Sequence, residues 1–333
     1  MRPHWHGDIV LREKKRSRTQ PMSLFLKVLI AAGVAVGAAL TALRLLASWW
    51  PALDIVNNGL PLLTAGAVLL LCLALFTRNW RHIVATALLA AVNAGLLFAA
   101  LPGAAPDAAP GSARFLRIAT FNLWRENDRM DDVARFLAGA DPDVIVLEEV
   151  TRRHGDTLFS ALGSRYPHHV GDAGLVILSK HAIIAEGRID RAGYPPWISL
   201  MVRWVRLEVN GTAFEVAGVH LTRPFYPDLQ LEDFATLTAF VQSQSVPLVV
   251  AGDFNMTPWT RKLARFTQAT GLKRHNTFHL TWPMRFGNIP LLPLVAIDNV
   301  FTSPQFAAIA TEGGPRLGSD HRPVIADIAL AKP

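Results

Sequence analysis

Two rhythms of apolar positions divide the chain. Residues 24–47, 60–76 and 83–101 are nearly unbroken apolar runs, and about 20 such residues suffice to cross the roughly 30 Å of bilayer hydrocarbon. They are read as three transmembrane helices. Lys27 and Arg44 lie near the ends of the first run, where long side chains reach the interface. Trp49 and Trp50 follow it in the position of an aromatic belt. A cleaved signal peptide is the rival reading, but the run is long for one and two similar runs follow. Asn93, near the middle of the third run, is expected to make an interhelical hydrogen bond. Gly33 and Gly37 form a small-xxx-small pair that permits helix packing.

From residue 114 the apolar runs shorten and alternate with polar segments. Residues 118–121, 144–147, 214–219, 248–251, 294–297 and 324–328 read as buried strands. Residues 130–138 form a helix with Val133, Ala134, Leu137 and Ala138 on one face, Asp131 and Asp132 in its first turn and Gly139 after it. A second helix covers 228–242, with Phe234, Leu237 and Val241 at core spacing. Asn210-Gly211 between two strand patterns is a two-residue hairpin signal. Hairpins mixed with helical crossovers argue for mixed sheets. Residues 102–113, rich in Pro, Ala and Gly, read as a tether reaching roughly 35 Å if extended. The division is thus a basic tail over 1–23, three spans within 24–101, a linker over 102–113 and a folded domain over 114–333.

Charge sharpens this division. The hydrophobic fraction of 51% is high for a soluble protein, and the net charge of +7 is unevenly spread. Residues 1–113 hold ten Lys/Arg against four Asp/Glu, whereas residues 114–333 hold 23 against 22. The sequence pI near 10.0 is therefore no evidence for nucleic-acid binding by the folded domain. The tail and the loop bearing Arg78 and Arg81 are basic, while 48–59 has no Lys or Arg. By the positive-inside rule the tail faces the cytoplasm, and after three spans the folded domain emerges outside a plasma or inner membrane. Cys72 is the single cysteine, which excludes an internal disulfide and a cysteine-based metal site.

The candidate chemistry lies at strand ends. The run 248–251 passes through Gly252 into Asp253 and Asn255, which share one face of an extended segment while Phe254 points inward. Thr257-Pro258 then reads as a helix N-cap followed by a first-turn proline. Other runs end in Asn122, in Glu148-Glu149 and in His220; 294–297 leads into Asp298, and Asp320-His321 precedes the last strand. Amide, carboxylate and imidazole groups gathered at strand ends suit a hard cation and a phosphate oxyanion.

Six of these stretches carry a resemblance. Thr120-Phe121-Asn122, Leu147-Glu148-Glu149-Val150, Gly218-Val219-His220-Leu221, Gly252-Asp253-Phe254-Asn255, Ile297-Asp298 and Ser319-Asp320-His321-Arg322-Pro323-Val324 occur in that order. They resemble the motifs of the endonuclease/exonuclease/phosphatase superfamily, the DNase I-like metal-dependent phosphoesterases. The resemblance implies an α+β fold, a four-layered α/β sandwich of two mixed sheets flanked by helices. It implies Mg²⁺ or Mn²⁺ held by Asn122, Glu149 and Asp320, with Glu149 favoured over Glu148 because a polar residue precedes and an apolar one follows the ligand. It also implies that Asp253 positions and deprotonates water, that Asn255 holds a phosphate oxygen, and that Asp298 orients His321 against the phosphate. His220 becomes a second phosphate contact or the acid for the leaving group.

Departures leave the substrate open. His220 occupies a place where abasic-site endonucleases lack histidine, and Asp298 is followed by Asn299 where inositol-polyphosphate 5-phosphatases carry their own signature. The expected activity is phosphodiester hydrolysis, with phosphomonoesters as the lesser alternative. A nuclease acting on DNA or RNA, a sphingomyelinase-like lipid phosphodiesterase and an inactive membrane-tethered binding module are the rivals. The expected partners are a phosphoester substrate and the lipid bilayer. Arg261, Lys262, Arg265, Lys273 and Arg274 keep the nuclease reading open if folding gathers them on one face. Trp124, Trp197, Trp259 and Trp282 could line a cleft, though core packing is the better expectation for each.

Overall fold

The computed structural model describes residues 20–99, 105–191, 193, 200–275 and 279–331. It opens with helix α1 (Gln20–Leu46), a 3-10 turn (Pro51–Asp54), the one-turn helix α2 (Ile55–Asn58), and helices α3 (Leu60–Thr77) and α4 (Trp80–Ala99). Helices α1, α3 and α4 are each long and apolar enough to cross a membrane. Asn93 on α4 is fully buried and donates its amide to Thr41 Oγ1 on α1 at 3.0 Å, the interhelical bond its position predicts. Gly37 lets α1 approach α4 closely, since a Cβ there would lie 2.6 Å from the Leu89 side chain.

The folded domain follows as β1 (Leu116–Asn122), α5 (Met130–Ala140), β2 (Val144–Val150), α6 (Arg152–Leu162), β3 (His168–Val170), β4 (Gly174–Ser179), β5 (Ile183–Asp190) and β6 (Met201–Val209). Then come β7 (Thr212–His220), α7 (Pro227–Ser243), β8 (Leu248–Asp253), α8 (Arg261–Thr270), β9 (Lys273–Arg274), β10 (Arg285–Phe286), β11 (Ile289–Pro290), β12 (Asp298–Thr302), β13 (Phe306–Gly313) and β14 (Val324–Leu330). Asn210 and Gly211 both adopt the positive φ that a two-residue hairpin between β6 and β7 requires.

Strands assemble into two six-stranded mixed sheets, ordered β13-β14-β1-β2-β4-β3 and β5-β6-β7-β8-β12-β9. Period-two alternation decides what each face buries. Ile118, Val144 and Val146 from the first sheet meet Val205, Phe214, Val216 and Val249 from the second in the central core. Their neighbours Ala119, Ile145 and Leu147 point the other way, onto Val133 and Leu137 of α5 and Leu158 of α6. Ala217, Val219 and Val250 likewise face Phe234 and Leu237 of α7 and Leu263 of α8. The result is the expected four-layered sandwich, helices outside and two sheets within.

Three local expectations change in the folded chain. Asp298 opens β12 instead of following a strand at 294–297, because β12 runs antiparallel to β8 and so begins where β8 ends, with Asp298 opposite Asp253. Thr257-Pro258 starts a turn, and α8 begins at Arg261. The tether is pinned where it is described. Ala105 N–H donates to Arg274 O at 2.8 Å, and Pro106 O and Ala108 N–H pair with Ala308 at 2.9 and 2.7 Å. Strand β13 is a sheet edge with free backbone groups, and small residues let the incoming chain lie along it. Residues 1–19 of the tail, 100–101 of the third span, 102–104 of the linker and Trp197 lie outside the described residues.

The segment between α1 and α3 is docked on the folded domain. Asp54, 1% exposed, accepts hydrogen bonds from the N–H groups of Arg261 and Lys262 at 2.9 and 3.0 Å, so it caps α8 from about 200 residues away in sequence. Such a carboxylate cap contributes about 1 kcal/mol. Asn57 donates to Asp54 Oδ1 at 2.6 Å and accepts from Arg44 Nε of α1 at 2.6 Å. Asn58 Oδ1 accepts from Thr257 N–H at 2.8 Å. This chain of polar contacts ties the C-terminal end of α1 to the turn just after Asn255.

Candidate active site

Strand register brings the predicted residues to one end of the sandwich. In the parallel pair β1–β2, Asn122 lies opposite Glu148, and in the parallel pair β7–β8, His220 lies opposite Asp253. Antiparallel β12 adds Asp298 beside Asp253. The loop before β14 carries Ser319, whose hydroxyl donates to Asn122 O at 2.7 Å and accepts from His321 N–H at 2.9 Å. That hydroxyl fixes Asp320 and His321 over the end of β1.

Local backbone geometry aims the side chains. Gly252 has φ 148°, and a Cβ there would lie 1.9 Å from Val219 O, so only glycine lets β8 deliver Asp253. Asn255 has φ 51° and is drawn back by its N–H to Asp253 Oδ1 at 2.7 Å. The segment is therefore a turn, although Phe254 does point inward and is fully buried. The β2–β4 register shifts between Leu147 and Val150, and within that bulge Glu149 has φ 55°. The bulge breaks the alternation of β2: Glu148 stays buried and accepts from Thr120 Oγ1 at 2.8 Å, while Glu149 turns into the pocket.

The Asp298 carboxylate grips His321 Nδ1 at 2.9 and 3.1 Å, which leaves Nε2 3.8 Å from Asp253 Oδ2. His220 Nε2 lies 3.8 Å from both Glu149 Oε1 and Asp253 Oδ2. Asn122 donates its amide to Asp253 Oδ2 at 3.1 Å and lies 3.4 Å from Glu149 Oε1. Asn255 Nδ2 is committed to Leu221 O at 2.9 Å and to Asp253 Oδ2 at 3.2 Å.

Burial and neighbouring charge set the protonation states. Burial pushes the Asp253 carboxyl up to about 7, against the pull of His321. Burial lowers His220 to about 4, overriding Glu149, so the imidazole is neutral at neutral pH. Burial also works against charging His321, but Asp298 and Asp253 outweigh it and raise the pKa well above the ordinary histidine value. Glu149 is desolvated, yet His220, His321, the Arg125 N–H and Arg223 hold it below the usual carboxylate range. Fully buried Glu148, with Asp298 near it, is pushed far the other way.

A pocket of about 300 Å³ opens onto these groups, lined by Glu149, Asp253, Asn255, Asp320 and His321. Glu149 and Asp320 put two carboxylates on its wall, hard oxygen ligands of the kind that fit Mg²⁺ or Mn²⁺. Asn122, beside Glu149, turns its Nδ2 toward the carboxylates while its Oδ1 accepts from Trp124 N–H at 3.0 Å. Among the described residues, the group of three acidic or imidazole side chains whose ligand atoms all lie within 4.8 Å of one another is Asp253, Asp298 and His321; Glu149 and Asp320 stand on the pocket wall outside that group. Six lining residues escaped the sequence reading, Pro224 and Phe225 among them. Arg223, three residues past His220, reaches to 3.7 Å from Glu149 Oε1, and Ile55, Asn58 and Gly59 come from the segment between α1 and α3. Their signal was Asp54, the sole acidic residue within 24–101. Trp282 lines the pocket and donates to Asp320 Oδ2 at 3.2 Å, whereas Trp259 is buried and Trp124 stacks with Arg285.

The geometry agrees with comparisons to known proteins. No curated protein sequence matches the chain. Among solved structures, an endonuclease/exonuclease/phosphatase from Bacteroides vulgatus is 20% identical, with 65% of this chain and 98% of that one covered and a TM-score of 0.56. A mannosyl-6-phosphatase from Bacteroides thetaiotaomicron is 17% identical, with 65% and 100% covered and a TM-score of 0.54. TDP2 from Caenorhabditis elegans is 16% identical, with 65% and 74% covered and a TM-score of 0.53. At such identities the likeness is one of fold. The sequence profile of the endonuclease/exonuclease/phosphatase family matches residues 119–321, from within β1 to the imidazole beside Asp298. The chain belongs to that family of phosphoester hydrolases.

Proposed function

We propose that the chain hydrolyses phosphodiesters in a divalent-cation-dependent reaction at the outer surface of a membrane. The observation that carries this reading is the convergence of Glu149, Asp253, Asp320 and the Asp298–His321 pair on one pocket. Glu149 and Asp320, with Asn122 beside them, would hold the cation. When bound, it neutralises charge on the non-bridging oxygens and on the leaving oxygen.

The remaining work falls to protein groups. Asp253, with a pKa near 7, is suited to take a proton from water at neutral pH. Asn122 and Asn255 each donate to Asp253 Oδ2 and so orient it. Because the Asn255 amide is thus engaged, its proposed role is positioning in place of phosphate contact. Asp298 fixes His321 with Nδ1 protonated, and the charged imidazole offers Nε2–H to a phosphate oxygen. Neutral His220 serves as a second phosphate contact better than as an acid. Arg223 is the one Lys or Arg lining the pocket among the described residues, a charge suited to a singly charged diester.

Two observations favour the outward orientation. The basic loop at Arg78 and Arg81 lies at the opposite ends of α3 and α4 from the docked segment. That segment touches the folded domain, so both share one side of the membrane.

The folded chain also argues against a duplex nuclease. Arg274 is fully buried, and Lys262 is 5% exposed with its ammonium on Gln230 Oε1 at 2.9 Å, so the basic run offers no five-charge face. The full chain is expected to prefer bis-p-nitrophenyl phosphate to duplex DNA in kcat/KM. Raising salt from about 50 to 200 mM should cost far less than the ~10³-fold loss of a protein making six phosphate contacts. A strong preference for DNA, with a steep salt slope that flattens in Arg261→Ala and Arg265→Ala, would reverse this reading.

A further inference from the structure

The pocket does not end at its polar floor. Ile55 and Gly59 form part of its wall and also the head of a second, larger cavity of about 840 Å³ between α1 and α3. That cavity is an apolar groove in the spanning helices, lined by Leu29, Val36, Leu40, Leu62, Leu69 and Leu73. Gly66 lies on its α3 side, and a Cβ there would meet nothing within 4 Å. In a bilayer such an open apolar groove fills with hydrocarbon.

The pocket rim is apolar as well. Phe225 is 74% exposed there, and the short hairpin β10–β11, hung between Trp282 and Val295 of the rim, holds Phe286 and Ile289 at 77% and 63% exposed. Exposed apolar side chains clustered at one mouth mark a surface meant to meet something apolar. The Arg44–Asn57–Asp54 contacts fix that mouth against the outer end of α1, beside Trp49 and Trp50.

We propose that the substrate is a lipid phosphodiester of the facing leaflet, its phosphate in the pocket and one hydrocarbon chain in the α1–α3 groove. The inference rests on the phosphodiesterase reading above. Water adds to phosphorus and the P–O bond to one alcohol breaks; one water proton passes through Asp253 and the departing alkoxide takes up a proton, so the products are a phosphomonoester and an alcohol. Because the chain already lies in hydrocarbon, the groove adds orientation and not hydrophobic affinity.

Two chromogenic diesters that differ only in chain test this: p-nitrophenyl hexadecyl phosphate in phosphatidylcholine vesicles holding the full-length protein, and soluble p-nitrophenyl methyl phosphate. Gly66→Phe fills the groove without reaching the pocket. It should lower turnover of the hexadecyl diester at least about tenfold through lost orientation, and leave the methyl diester unchanged, which also shows that the variant folds. Leu88→Phe, on an exposed face of α4 outside the groove, should change neither. Equal effects of Gly66→Phe on both diesters, or none on the hexadecyl one, would overturn the proposal.

A readout without turnover separates this from failure of the phosphodiesterase reading. With metal withheld, a hexadecyl diester carrying a diazirine on its chain should label α1 and α3 along the groove in the wild type and lose that labelling in Gly66→Phe. Labelling confined to the outward faces of the helices would overturn the groove even if both diesters were hydrolysed. Absence of all hydrolysis with groove labelling intact would count against the phosphodiesterase reading alone.

Discussion

Asp253→Asn is expected to lower kcat for bis-p-nitrophenyl phosphate by about 10²–10⁴-fold, the contribution of a well-placed general base. Asparagine keeps the shape and can still accept from the Asn255 N–H through its oxygen. Its amide nitrogen would face the Asn122 and Asn255 amides where Oδ2 now accepts, so the rate loss includes this change and the pH profile isolates proton transfer. The pH profile supplies the sign. The Asp253 carboxyl, raised by burial to about 7, must be ionised to accept a proton, so kcat/KM should rise with pH through about 7. In the proposed role His321 is a charged donor, and its pKa is raised, so activity should fall on an alkaline limb as it loses its proton. In Asp253→Asn the acidic limb should vanish while the alkaline limb persists at lower pH, since the Asp253 charge is one of those that raise His321. An unchanged acidic limb would assign the base to another group.

The second large effect separates two adjacent glutamates. Glu149→Gln removes half of the proposed carboxylate pair, and a loss of about 4 kcal/mol of charge stabilisation corresponds to a ~10³-fold lower rate. Glu148→Gln should stay within about threefold of wild type, because a group held protonated by burial is matched in shape and charge by glutamine. Its hydrogen bond from Thr120 needs only an acceptor oxygen, which the amide keeps. Steady-state rates at saturating Mg²⁺ for the two variants decide the matter. Equal losses would show that the bulge at Glu149 does not select the ligand.

Much of this site was legible because polar groups interrupt apolar runs. Asn122, Glu149, His220 and Asp253 each stand where a buried strand runs out, and a strand that must be apolar on both faces can carry such groups only at its ends. What local pattern does not contain is the partner across the sheet. Asp298 was placed on the correct side of the fold but at the wrong end of a strand, since only pairing with β8 fixes the direction of β12. The alternation rule left Glu148 and Glu149 equivalent until the bulge separated them. Contacts between distant segments were hidden for the same reason: Thr257-Pro258 looks like a helix start, while the true cap, Asp54, comes from between α1 and α3. The five basic residues within 261–274 read as one possible face, and tertiary burial of Lys262 and Arg274 takes two of them out of it.

The central claim is that this pocket performs phosphodiester hydrolysis with a bound divalent cation, and turnover by the full-length chain in phosphatidylcholine vesicles tests it most directly. Bis-p-nitrophenyl phosphate is supplied to the metal-loaded protein, to the protein in excess EDTA, and to the chelated protein after Mg²⁺ or Mn²⁺ is restored. Hydrolysis should be present, then abolished, then recovered, and the recovered rate should be absent from Glu149→Gln. Undiminished turnover in excess EDTA, or no turnover with either metal, would contradict the account.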